Sequence, residues 1–217
     1  MFIGHFAVAF AAKRLSPTTS LGTLFAAAQL ADLLWPLFLL LGIEHVHIVP
    51  GITVVTPFDF YDYPISHSLV GAACWSTLLG ALLFWTTRSV RTAAIVASVA
   101  ASHWVLDLVM HRPDLPLAGS ASMKVGMGLW NSLPLSLALE LTLFGVGVYM
   151  YMRSTRANDS FGRWGLIGLI AFLLMMYFAN IFGPPPPSEQ IVAIGANATW
   201  LLVLWAWQAD RHRSSLA

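Results

Sequence analysis

The run "SHWVLDLVMHRPDLPL", residues 102–117, carries His103, Asp107 and His111 at four-residue spacing in an otherwise apolar segment. Four residues is slightly more than one helical turn, so the three side chains leave nearly the same face of a helix. Two imidazoles and a carboxylate on one stripe are donor atoms for a borderline divalent metal. The same His-x-x-x-Asp spacing also suits a plain His–Asp hydrogen bond. At the helix end, His111 as a cation would also complement the helix dipole.

Three more residues bear on the choice: His5 in "FIGHFAVAF", Asp32 in "LADLLWP" and His67 in "YPISHSL". Each has a plainer reading. His5 could be an interfacial polar residue. Ser66 and Ser68 could make the His67 segment a helix cap. Asp32 could pair with an arginine, but none is predicted at its depth, which favours a bound cation or a protonated carboxyl. Together, His5, Asp32, His67, His103, Asp107 and His111 form a candidate metal set. Zinc is the first expectation, with iron or manganese as alternatives. Asp107 or Asp32 could instead serve as general base, and Arg112 could steady an anion with its two-pronged guanidinium. A plain Arg112–Asp114 pair competes with that role.

The elements that must position these residues are read from composition. The chain has 217 residues, 58% hydrophobic and 10% charged, and a mean hydropathy of +0.73. Soluble domains carry about 25% charged residues, so this is an all-α, polytopic transmembrane helix bundle in a single domain, 1–217. A net charge of +1 excludes a large basic field for nucleic acid. The lone Cys74 excludes an internal disulfide and is expected to be a small buried residue. Hydropathy predicts helices near 2–14, 20–43, 67–87, 91–111, 128–152, 163–183 and 189–208. The first is too short to cross a bilayer, which takes about 20 residues, and the other six are long enough. Lys13-Arg14 follow the first apolar run rather than precede it, so a retained helix is expected rather than a cleaved signal. Trp35-Pro36 is expected to kink the second helix, and "GPPPPSE" at 183–189 reads as a stiff turn.

Nine of the eleven Lys and Arg (13, 14, 88, 91, 153, 156, 163, 211 and 213) fall on one side if the helices alternate. The positive-inside rule makes that side cytoplasmic in a bacterial inner membrane, with the C-terminus inside. The connections 44–66, 112–127 and 184–188 then face outward, and the histidines and Asp107 gather toward that face. Ionisable groups inside spans are costly and normally face the bundle interior with partners. Glu140 faces no obvious base and reads as a proton relay or a protonated packing residue. His45 and His47 are weak metal candidates in an exposed loop, whose "FDFYDYP" segment could rest on the membrane surface.

On "FIGHFAVAFAAK", "LADLLWP", "YPISHSL", "SHWVLDLVMHRPDLPL" and "GLWNSLP" the chain resembles a group of uncharacterised bacterial multi-spanning membrane proteins. It more distantly resembles the membrane-bound, LexA-regulated metal-dependent hydrolases, through Gly4-His5, Asp32, Ser66-His67-Ser68 and His103 with Asp107. That resemblance implies a membrane-embedded metal site and hydrolase activity. The chain departs from the pattern at Leu34, where a second acidic residue is usual, and at Asp62-Tyr63, where His-Arg is usual. Asp62 could still be a ligand or base. The leading expectation is therefore a metal-dependent hydrolase acting on a lipid or membrane-associated ester or phosphoester, with membrane lipids as its partners. An ion- or proton-coupled transporter is the alternative, and a bis-histidine haem protein ranks third.

Overall fold

The computed structural model describes residues 1–216 and is an all-α bundle. Its helices are α1 (Ile3–Ala12), α2 (Leu21–Ala28), α3 (Leu30–Leu40), α4 (Pro64–His67), α5 (Leu69–Thr87), α6 (Val90–Met110), α7 (Leu133–Ser154), α8 (Ser160–Phe182), α9 (Glu189–Ala196) and α10 (Thr199–Arg211). Among the described residues, five helical segments are long and apolar enough to cross a membrane, with α9 and α10 together as one of them. The number is six when α2 and α3 are taken as one bent span. The chain is a multi-pass membrane protein.

The short α1 is apolar on all sides except at His5, and a helix of that kind belongs in an interior. Eight of its ten residues are buried, against α7, α2 and α6. Gly147 on α7 admits it: a Cβ there would lie 2.3 Å from the Ala7 carbonyl oxygen. Ser20, Ser68, Ser89 and Asp159 cap α2, α5, α6 and α8 by accepting a backbone N–H with their side chains. Helix α7 begins five residues later than hydropathy suggests. Gly128, at φ +74°, turns the chain, and residues 129–131 form a single 3-10 turn before it.

Two expectations are corrected. The second helix breaks at Gln29 with a bend of 59°, not at Pro36, which lies inside α3. A break frees a carbonyl, and it is found where another group binds that carbonyl: Ala28 O accepts from His103 Nδ1 at 2.7 Å. Cys74 is exposed on α5 rather than buried. Leu78, Leu82 and Trp85 share that helix's exposed surface, as a span facing lipid allows.

The connection 44–66 is more than a loop. β1 (His45–Ile48) pairs antiparallel with β2 (Phe58–Asp62). Phe60 and the following Tyr63 are buried with Trp35, Met110, Leu115 and Trp130 in one apolar cluster, so "FDFYDYP" packs inward along one edge. A second, larger cluster joins α1, α2, α6, α7, α8 and α10 through Phe10, Phe25, Val96, Phe144, Leu169 and Ala206.

The chain ends of the bundle assemble into two poles. At one, Lys13 bonds Asp210 at 2.7 Å, Tyr151 Oη donates to Asp210 at 2.7 Å, Arg91 reaches Leu15 O, and residues 155–157 pair with 213–215. At the other, Val46 N–H donates to Glu189, Lys124 to Tyr61 O, and Arg112 pairs with Asp59. The basic segments thus share a pole, opposite the three poorly basic connections.

Candidate metal centre

Four elements far apart in sequence deliver the polar cluster. Helix α6 carries His103 and Asp107 one turn apart, 3.1 Å between Nε2 and Oδ2. Asp32 lies in the first turn of α3, just past the break at Gln29. His67 ends α4, a turn that starts at Pro64 and hands over to α5 at Ser68. His5 comes from α1. Its register is held by Glu140 on α7, which accepts the N–H groups of Phe2 at 2.9 Å and Gly4 at 3.2 Å. Glu140 is therefore the cap of α1, where the sequence had offered a relay or a packing residue.

His67 Nε2 lies 3.3 Å from Asp32 Oδ1 and 4.0 Å from Asp107 Oδ2. His103 Nε2 lies 3.8 Å from Asp32 Oδ2. The edges of a tetrahedron built on 2.0–2.1 Å bonds are about 3.3 Å. The His67–Asp32 and His103–Asp107 separations are close to that edge, and the His103–Asp32 and His67–Asp107 separations are longer. Asp32, His67 and His103 form one compact donor group, and His5, His103 and Asp107 form an overlapping one. His103 Nε2 is buried and faces Asp107 Oδ2 at 3.1 Å. Its Nδ1 is bound to a carbonyl, which only accepts, so Nδ1 carries a hydrogen and Nε2 is the nitrogen turned to the cluster. No Lys or Arg side chain forms an ion pair with Asp32 or Asp107 among the described residues.

The other oxygen of Asp107 faces a different group. His5 Nε2 is 3.1 Å from Oδ1, and the Met1 amino group donates to it at 2.6 Å. The His5 and His103 rings stack at 3.7 Å, nearly parallel. His111 Nε2 stops 4.0 Å short of Asp107 Oδ1. Its Nδ1 is bound by Asp114 at 2.9 Å and Tyr63 Oη at 3.2 Å. Burial and the Asp114 charge push the Tyr63 phenol well above its ordinary range, so it stays a hydroxyl.

Arg112 is not brought to the donor group. Its guanidinium is held by Asp114, at 3.0 Å from Nε, and by Asp59. His45 and His47 stay on β1, opposite Asp62 and Asp59, and stack on Tyr61. Asp62 accepts from Ser120 at 2.6 Å and lies with them on the ribbon. A narrow cleft lined by Leu30, Ala31, Trp75, Trp104, His67 and His103 reaches the cluster. Asp32, with 31% of its side chain exposed, is the more exposed carboxylate of the cluster, while His67, His103 and Asp107 are at most 5% exposed.

Sequence reasoning missed Glu44, which is fully buried beside Ser66. The available signal was an acidic residue directly after a predicted span in a chain with only ten.

Fold and site together define a multi-pass helical membrane protein with a buried His/Asp cluster near one pole. Comparison with protein-family profiles, curated proteins and solved structures finds no match.

Proposed function

We propose that the chain is a membrane-embedded, metal-dependent hydrolase of a lipid or membrane-associated ester or phosphoester. We place its site toward the outer face of a bacterial cytoplasmic membrane. The observation that carries this reading is the convergence of His67, His103, Asp32 and Asp107, with Nε2 of both histidines turned toward the carboxylates. The resemblance to LexA-regulated metal-dependent hydrolases at these positions supports it.

His67 and His103 supply nitrogen and Asp32 and Asp107 supply carboxylate oxygen, with the Met1 amino group already bonded to the far oxygen of Asp107. Zinc suits this set, and iron or manganese also accepts it. Such an ion, when bound, activates water and polarises a substrate oxygen. Asp32, on the accessible side, is placed to take a proton from an approaching group. His5 buttresses Asp107 from the opposite oxygen, and Arg112 orders the approach by tying Asp59 to Asp114.

The bend at Gln29 favours a second reading. Broken spans with polar groups at the break are also how transporters build ion sites. Metal analysis of purified protein separates the possibilities. About one equivalent in the wild type, lost in Asp32→Ala and in His103→Ala, is expected. A wild type that stays metal-free after supplementation with zinc, iron and manganese overturns the proposal. Metal with ion flux in proteoliposomes, and no cleavage of fluorogenic ester or phosphoester lipids, favours transport. A Soret band favours haem.

A further inference from the structure

We infer that Glu44, acting through Ser66, holds His67 in the tautomer that leaves Nε2 free, and so is a positioning residue of the centre. As a statement about metal binding, the inference rests on the reading above.

At His103 the partner of Nδ1 is a carbonyl, which can only accept, so that nitrogen carries a hydrogen. At His67 the partner is a hydroxyl, Ser66 Oγ at 2.7 Å, which can donate or accept. Something else must decide its direction. Glu44 Oε2 lies 2.6 Å from Ser66 Oγ, and Glu44 Oε1 accepts the N–H groups of Ile65 at 2.7 Å and Ser66 at 2.8 Å. A carboxylate already accepting two N–H groups takes the Ser66 proton rather than giving one, and 2.6 Å is a usual length for O–H to carboxylate. The hydroxyl has one proton. Once that proton points at Glu44, Ser66 Oγ can only accept from His67, so Nδ1 carries the hydrogen. Nε2 is then the nitrogen turned to Asp32 and Asp107.

The two oxygens of Glu44 have separable tasks. Oε1 pins the start of α4, and Oε2 directs the hydroxyl. The relay parallels the direct carboxylate–histidine link common behind metal ligands, with a serine interposed.

Glu44→Gln keeps shape and an oxygen for the backbone N–H groups, but its amide donates to Ser66. The hydroxyl must then donate to His67 Nδ1, moving the ring proton to Nε2. Nitrogen NMR of ¹⁵N-histidine-labelled, metal-free protein, assigned with His67→Gln, reads this without metal. Protonation of Nδ1 in the wild type and of Nε2 in Glu44→Gln is expected. Zinc affinity should fall about 10- to 100-fold in Glu44→Gln and in Ser66→Ala, and return in Ser66→Thr, which restores the hydroxyl. A wild-type His67 with no hydrogen on Nδ1, or a Glu44→Gln protein with unchanged ring protonation and zinc affinity, overturns the inference. A wild type that binds no metal while the tautomers behave as described overturns the metal reading and leaves the relay standing.

Discussion

Each oxygen of Asp107 looks at different imidazoles: Oδ2 at His103 and His67, Oδ1 at His5 and His111. Replacing it with asparagine keeps its size but removes the charge and puts an amide in one oxygen's place. Asp107→Asn is therefore expected to lose zinc at least about tenfold, as measured by competition with a chelating dye. His111→Gln is expected to change affinity by less than about threefold, because Asp114 and Tyr63 already hold that ring away from the four closest donors. A loss in His111→Gln as large as in His103→Ala would place His111 among the ligands.

Among the elements, α1 is the one whose placement the centre depends on most. Ten residues cannot span a membrane, yet this helix is the most enclosed of the bundle because its neighbours leave room for it. Glu140→Leu removes the acceptor of two backbone N–H groups and should cost about 1–3 kcal/mol, read as a lower midpoint of thermal unfolding in detergent. Glu140→Gln keeps one oxygen and should cost less. Gly147→Val drives a side chain into the Ala7 backbone. It should destabilise by about 1–3 kcal/mol, with a parallel shift of the His5 ring resonances.

For the whole molecule, the gathering of basic segments at one pole makes the orientation testable. In a Cys74→Ser background, Ser120→Cys should react with a membrane-impermeant maleimide on intact cells. Ser214→Cys, at the basic pole, should react only after permeabilisation. The reverse pattern would invert the topology and put the centre toward the cytoplasm. The same pole predicts an acid effect. The Gly162 N–H, and then the His212 ring, hold the Asp159 carboxyl below its usual range. A depressed carboxyl contributes its stability above the unfolded value, about pH 4, and loses it as the pH falls through the folded value. Unfolding midpoints should therefore drop below about pH 4, and Asp159→Asn should flatten that drop.

Hydropathy and spacing alone determined the helix-bundle class, the spans to within a few residues, the basic pole and the gathering of His5, Asp32, His67, His103 and Asp107 toward one end of the bundle, because each depends on local composition or on helical period. They did not place Cys74, since lipid is as apolar as a protein interior and an apolar residue does not announce which it faces. The break at Gln29 was hidden behind the more conspicuous Pro36, because it depends on a distant histidine binding a freed carbonyl. Glu44 went unseen for the same reason, and Arg112 was left between two roles that only the positions of Asp59 and Asp114 separate. Which nitrogen of a histidine is free, and which carboxylate is accessible, is set by the third group in each hydrogen-bond chain. That group arrives from another part of the sequence, so the tertiary structure alone decides it.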